Sequence, residues 1–148
     1  MQTASIVALY QVLKRENSAL LHYLSGAWPW TSAAERAAAD EVQKIVDAEQ
    51  AALARLATHL RRQRVVPPAA SYPMTYTGLH YVALSYLLPR LVEEQAHLLA
   101  ALEADLAAAT PELKEVLTPF CELKKAHRAR LAELAAAHAG AKSLATRR

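Results

Sequence analysis

The sequence predicts an all-helical protein with one domain. Alanine and leucine are abundant, glycine occurs only three times in 148 residues, and apolar residues recur at helical spacing in four long segments. Alanine and leucine enter a helix at little entropic cost, whereas strands favour β-branched residues, which rarely form runs here. A chain of this length can bury a substantial core. We therefore predict a single domain over 1–140 and a flexible basic tail over 141–148.

The first two predicted helices are separated by a short turn. Helix 1 covers about 4–27 and ends at a glycine and a proline. Ser32 and Glu35 have the spacing of a capping box, which predicts the start of helix 2. Helix 2 then continues to about residue 64 and stops before a Pro-Pro pair.

A connection follows, and then two further helices. Residues 65–76 contain three prolines, and their apolar residues do not recur at helical spacing, so we predict that they form a connection. Helix 3 covers about 77–107. Thr110 and Pro111 suit the N-cap and first position of helix 4, which we expect to end near Gly140.

Two features of this order stay open at the sequence level. Pro89 and Pro119 should kink their helices, unless Thr118 and Pro119 mark the true start of the last long helix. A connection of about twelve residues spans at most about 40 Å when fully extended, whereas the longest predicted helix is about 46 Å long. A taut connection that crosses the bundle and a simple up-down-up-down order are therefore both possible.

Charge and the absence of targeting signals restrict the expected partners. The formal net charge is only +3, and the basic groups near 61–64 and 124–130 are not interleaved with aromatic residues, so we expect solvated faces and no nucleic-acid partner. A single cysteine, Cys121, and the lack of a basic lead-in to an apolar segment favour a cytoplasmic protein. No uncharged apolar run approaches about 20 residues, so we expect no membrane partner.

One polar residue interrupts the apolar stripe of each predicted helix near its middle. These residues are Glu16 or its neighbour Asn17 on helix 1, Glu49 on helix 2, Glu94 on helix 3 and His127 on helix 4. Mid-helix positions lie within about 5 Å of one level, whichever way each helix runs. Carboxylates buried together need a metal ion, a cationic partner, protons or water. The sequence therefore predicts a polar centre inside the bundle.

Two histidines near these stripes are expected to lie away from that centre. His97 stands three residues after Glu94 in the only Glu-x-x-His of the chain. Three residues turn a helix by about 300°, which takes His97 to the flank of the stripe when Glu94 points inward. His22 lies toward the end of helix 1, where a packing or surface role is expected.

The segment "ENSALLHYL", 16–24, has a tyrosine, Tyr23, seven residues after Glu16. With this pair, the four predicted helices resemble those of ferritin-like proteins such as bacterioferritins and rubrerythrins, whose first helix has a glutamate and a tyrosine at this spacing. Glu94 matches the glutamate of the third helix. The resemblance implies a ferritin-like antiparallel four-helix bundle with a longer connection between helices 2 and 3. It also implies a homodimer or larger homo-oligomer.

The resemblance is incomplete at the two Glu-x-x-His motifs of that superfamily. On helix 2, Glu49 is present, but Ala52 occupies the histidine position. On helix 4, His127 is present, but Lys124 occupies the glutamate position. The six-ligand di-iron centre that the resemblance implies is therefore broken in this chain, and no catalytic residue can be assigned.

Three interpretations of this degenerate site follow, of which the third is a di-metal site that still works despite the missing ligands. In the first, Glu16, Glu49, Glu94 and His127 hold one Fe, Mn or Zn ion, since carboxylates with an imidazole form a plausible mononuclear set. The function would then be metal binding or metal-dependent redox chemistry with oxygen or peroxide, as the resemblance implies. In the second, the Lys124 ammonium takes the place of the ion, and the bundle is a non-enzymatic protein for interaction or assembly.

Overall fold

The computed structural model describes residues 1–25, 31–79 and 82–145. Within these ranges the chain is helical and has no strand, which confirms the all-α prediction. Short 3₁₀ turns cover Ala33–Glu35 and Met74–Leu79. The five α-helices are α1 (Thr3–Asn17), α2 (Leu20–Leu24), α3 (Arg36–Arg62), α4 (Leu84–Ala108) and α5 (Pro111–Ala145).

Helix 1 is broken in the structure, so the prediction of one continuous helix is wrong. Ser18 and Ala19 separate α1 from α2, and Ala19 has an extended backbone. The Ser18 hydroxyl donates a hydrogen bond to the Lys14 carbonyl at 2.9 Å. Such side-chain bonds compete with the helix ladder, which favours a break at serine. The predicted end of this helix, at residue 27, lies outside the described residues.

The capping-box residues before α3 have a different role from the one predicted. The Ser32 hydroxyl donates to the Glu35 carboxylate at 3.1 Å, and no side chain caps the backbone at the start of α3. The other Glu35 oxygen accepts a hydrogen bond from the Ser85 backbone N–H at 3.3 Å. Glu35 therefore satisfies a backbone donor at the start of α4 and links the two helices.

The core consists of two hydrophobic clusters at different levels. The first cluster contains Leu9, Val12 and Leu13 of α1, Leu53, Leu56 and Leu60 of α3, Leu99 and Leu102 of α4, and Leu113, Leu117 and Phe120 of α5. The second cluster contains Leu20, Leu21 and Leu24 of α2, Val42, Ile45 and Val46 of α3, Leu84, Leu87, Leu88 and Leu91 of α4, and Leu131 and Leu134 of α5.

The clusters give the direction of each helix. Both α3 and α4 begin in the second cluster and end in the first. Helix α5 runs the opposite way, from the first cluster to the second, and so does the pair formed by α1 and α2. An up-down-up-down order would make α3 and α4 antiparallel. Because they are parallel, the segment that links them has to travel from one cluster level to the other.

The connection between α3 and α4 is longer than the sequence predicted. Since α4 begins at Leu84 and not near residue 77, the connection covers twenty-one residues, 63–83. Such a segment reaches about 70 Å when extended, so it need not be taut. It contacts α1 on its way, where the Asn17 side-chain amide donates to the Pro68 carbonyl at 3.1 Å. Leu79, near its end, is buried in the second cluster.

The last helix begins as predicted, with Thr110 as its cap. The Thr110 hydroxyl accepts a hydrogen bond from the Leu113 N–H at 3.3 Å, and α5 then continues through Pro119. The alternative start at Thr118 is therefore wrong. The helix also runs beyond Gly140 to Ala145, and 146–148 lie outside the described residues, so the flexible tail stays a prediction.

Replacing Thr110 with alanine should lower the free energy of unfolding by about 1 kcal/mol, because α5 loses its cap. The Thr110 hydroxyl also lies 3.0 Å from the Ser5 hydroxyl of α1, so the change removes a contact between helices. Thr118→Ala is a matched control, since that exposed hydroxyl only donates to the Lys114 carbonyl at 2.6 Å. We expect its effect to stay within about 0.5 kcal/mol in urea titrations. Equal losses in the two variants would contradict the capping role.

Candidate functional site

A buried lysine lies between the two hydrophobic clusters. The Lys124 side chain of α5 has no exposed surface, and its Nζ donates to Gln95 Oε1 of α4 at 2.7 Å. The same Nζ lies 2.9 Å from Glu16 Oε2 of α1. It lies 3.4 Å from Glu49 Oε1 of α3. One ammonium group therefore joins all four long helices.

Two imidazoles complete the surroundings of Glu49. His127 Nδ1 lies 3.2 Å from Glu49 Oε1, one turn along α5 from Lys124. His22 Nε2 of α2 lies 3.5 Å from Glu49 Oε2. Glu49 is thus a fully buried carboxylate with a potential cation on three sides. We call the group of Glu16, His22, Glu49, Gln95, Lys124 and His127 the polar centre.

The pKa values of the two carboxylates of the polar centre shift in opposite directions. Burial by itself would raise the pKa of Glu49, but hydrogen bonds to His127 and His22 and the Lys124 charge outweigh burial and hold that pKa well below its usual range. For Glu16 burial prevails, so its pKa is raised although Lys124 opposes the shift. Glu16 Oε1 also has no hydrogen-bond partner among the side and main chains described. Glu49 is therefore the firmly ionised partner of Lys124.

The structure brings together three of the four residues predicted as ligands. Glu16, Glu49 and His127 meet around Lys124, whereas Glu94 is half-buried and points elsewhere. Glu94 Oε1 accepts a hydrogen bond from the Leu20 N–H at 2.7 Å, at the start of α2, where it compensates for the break after α1. Its other oxygen accepts from the Tyr76 hydroxyl at 3.5 Å.

Glu94 and Tyr76 also shift each other's pKa. Burial is the main cause of the raised pKa of Glu94, and the bonds from Leu20 and Tyr76 partly oppose it. Burial and the nearby Glu94 charge raise the pKa of Tyr76 to about 12. The pair fastens the connection onto α4, so Glu94 has a structural partner of its own outside the polar centre.

Two members of the polar centre were missed by the sequence reasoning. His22 was assigned a packing or surface role, because it lies toward the end of the predicted helix 1. The break after α1 changes the direction of α2 and brings the ring to Glu49. Gln95 follows Leu91 by four residues and precedes Leu98 by three, a helical spacing that the sequence does contain. His97 is exposed, as expected, and lies 3.9 Å from Glu93.

The donor set around Lys124 does not fit a metal ion as it is arranged. Over 1–25, 31–79 and 82–145, no group of three or more His, Cys, Asp or Glu side chains is placed so that it could hold one. The carboxylates of Glu16 and Glu49 instead face an ammonium, which provides the positive charge that they need. An ion in the same place would be repelled by that charge.

Comparison with known proteins adds no assignment. No family model, no curated protein and no solved structure matches this chain. A likeness to ferritin-like proteins therefore stays a prediction from the sequence positions named above. In the part of the chain that the structure describes, no helix has the length and apolar character needed to cross a membrane.

Proposed function

We propose that this chain is a ferritin-like helical bundle whose central site is closed by Lys124, and that it acts without metal in the cytoplasm, by interaction or by assembly into a homo-oligomer. The observation that carries this proposal is the position of the Lys124 ammonium, 2.9 Å from Glu16 and 3.4 Å from Glu49, with no exposed surface. A cation of the chain itself lies among Glu16, Glu49 and His127, the residues that match metal ligands under the ferritin-like resemblance.

The direction of the helices supports the ferritin-like part of the proposal. In ferritin-like bundles one long connection crosses the length of the bundle, between two helical hairpins. Here α3 and α4 run parallel, and the connection over 63–83 passes from the first cluster level to the second. Glu16 and Glu49 lie on the two helices that the resemblance requires.

The energetics of burial support a closed, metal-independent centre. A metal ion could enter only if Lys124 moved away, and the ammonium would then lie in apolar surroundings without a partner. Leaving one member of a buried ion pair uncompensated typically costs about 3–5 kcal/mol. Ion binding would have to exceed this penalty before any ion remained bound.

A mononuclear site for Fe, Mn or Zn is the second candidate function. Its support is the convergence of Glu16, Glu49, His22 and His127, a mixed oxygen and nitrogen set that suits such ions. His22 would replace Glu94 as a donor, since Glu94 is bonded to the start of α2. This candidate requires Lys124 to leave the polar centre when the ion binds.

Metal analysis separates the two candidates. We expect protein purified without chelator, then incubated with Fe²⁺ or Zn²⁺ and desalted, to retain less than about 0.2 equivalents and to show an unchanged melting temperature. His97→Ala removes an exposed imidazole and reports adventitious surface binding. About one equivalent of ion, together with a rise in melting temperature that Glu49→Gln abolishes and His97→Ala does not, would instead establish the mononuclear site.

A further inference from the structure

A cleft of about 540 Å³ lies between the connection and the helices α1 and α3. Its outer wall is the part of the connection over 66–72, which is fastened to α1 and α2 at several points. Pro68 accepts a hydrogen bond from Asn17 at 3.1 Å, and the Ser71 N–H donates to the Ser18 hydroxyl at 3.0 Å. The Tyr72 ring packs edge-on against Tyr23 at 5.1 Å. The crossing of the connection therefore forms this cleft.

The walls of the cleft are mostly apolar, with polar groups at its two ends. Leu13 of α1, Leu53 of α3 and Val66 of the connection contribute apolar surface. Arg61 contributes a guanidinium at the end near the close of α3, and none of the residues described along the cleft is Asp or Glu. An apolar cleft of a few hundred Å³ with few polar groups is typical of small-molecule sites.

The opposite end of the cleft is marked by His22. Its side chain is only 4% exposed, and Nδ1 has no hydrogen-bond partner within the described chain. Nε2 lies 3.5 Å from Glu49 Oε2, which favours the tautomer with the proton on Nε2 and leaves Nδ1 as an acceptor. A buried acceptor without a donor is costly, so a ligand hydroxyl that reaches Nδ1 would gain a bond that the protein lacks.

The two ends are separated by a definite length. Gln50 lines the cleft beside the His22 end, and Arg61 lies eleven positions further along α3. Eleven positions correspond to about 16 Å of helix. A ligand that contacts both ends must therefore be elongated, with a chain that runs past Leu53 and Ala54.

We propose that this cleft binds an elongated hydroxy acid, whose carboxylate pairs with Arg61, whose apolar chain lies along α3, and whose hydroxyl donates to His22. The site differs from the polar centre, because the ligand touches only His22 among its members. The inference rests on the metal-free polar centre of the proposed function, because an ion bound to Nε2 would leave the proton on Nδ1 and remove this acceptor.

Three related probes test the two ends of the site. By calorimetry or NMR titration, 10-hydroxydecanoate should bind with a dissociation constant of about 1 mM or tighter. Decanoate, without the hydroxyl, should bind about 5-fold to 10-fold more weakly. 1,10-Decanediol, without the carboxylate, should bind about 2-fold to 5-fold more weakly. The His22 Nδ1 resonance should shift with the hydroxy acid and stay in place with decanoate.

Paired variants test the location. Arg61→Gln should weaken binding of the acid about 2-fold to 5-fold and leave the diol unaffected, whereas the exposed neighbour Arg62→Gln should change neither. Ala54→Trp fills the cleft from an exposed position and should abolish binding, whereas the exposed Ala51→Trp, outside the cleft, should not. The proposal is overturned by a lack of saturable binding of the hydroxy acid, by binding that survives Ala54→Trp, or by equal affinity for decanoate.

Discussion

Replacing Glu49 with glutamine is expected to lower the free energy of unfolding by about 3–5 kcal/mol near neutral pH. Glu49 is fully buried, and its carboxylate contacts Lys124 at 3.4 Å and His127 at 3.2 Å. The amide keeps the shape of the side chain but removes its charge, so the ammonium of Lys124 remains buried with Glu16 as its sole carboxylate. Urea titrations followed by circular dichroism measure this loss.

Glu16→Gln is the matched control, because both side chains are fully buried and both contact Lys124. The raised pKa of Glu16 shows that burial disfavours its ionised form more than Lys124 favours it. Removal of that charge should therefore change the free energy of unfolding by no more than about 1 kcal/mol. A Glu16 variant that loses as much stability as the Glu49 variant would show that the two carboxylates share Lys124 equally.

The same two variants should change the pH dependence of stability in opposite directions. Because folding lowers the pKa of Glu49, its contribution is complete above the ordinary value of 4.5 and is lost as the pH falls below it. Because folding raises the pKa of Glu16, stability falls as the pH rises from 4.5 toward that raised value. In the Glu49→Gln variant, the free energy of unfolding should fall less steeply as the pH drops below 4.5. In the Glu16→Gln variant, it should fall less steeply as the pH rises above 4.5.

Replacing Lys124 with glutamate is expected to make the fold depend on a divalent cation. The change removes the buried ammonium and adds a third carboxylate beside Glu16 and Glu49. Uncompensated buried charge of this size should remove most of the roughly 5–15 kcal/mol that stabilises a small domain. Zn²⁺ or Mn²⁺ should restore helicity, since carboxylates with His127 and His22 form a donor set for such ions.

Lys125→Glu is the matched charge reversal on the adjacent residue. Lys125 is exposed and lies near Glu103 and Glu122, with no contact to the polar centre. This variant should melt close to the wild-type temperature and should not respond to added Zn²⁺. Thermal melts with and without chelator compare the two proteins, and a Lys124→Glu variant that folds normally in chelator would contradict the proposed role of Lys124.

The polar centre could be predicted from the sequence to the extent that it depends on helical periodicity. Glu16, Glu49 and His127 each interrupt an apolar stripe, and the structure places all three around one point. The role of His22 could not be predicted, because it depends on the short break after α1, where a serine side-chain bond competes with the helix ladder. Glu94 was predicted to face the centre, but its carboxylate instead accepts a hydrogen bond from the Leu20 backbone N–H at the start of α2.

The connection shows a second limit of sequence reasoning. Its prolines identified a non-helical segment, but helix 3 was predicted to begin at about Thr77, within the 3₁₀ turn over Met74–Leu79. With that segment included, the connection is long enough to cross the bundle easily. Because the start of helix 3 was predicted too early, the connection seemed almost too short to cross the bundle. The choice between the two topologies therefore stayed open at the sequence level.

The parallel course of α3 and α4 has a consequence for how the chain folds. Each hydrophobic cluster takes side chains from both halves of the chain, the half before the connection and the half after it. Neither half can complete a core alone, and contacts between the halves close a long loop. The two hairpins should therefore gain and lose their structure in one cooperative transition, and a fragment that ends within the connection should remain largely unfolded.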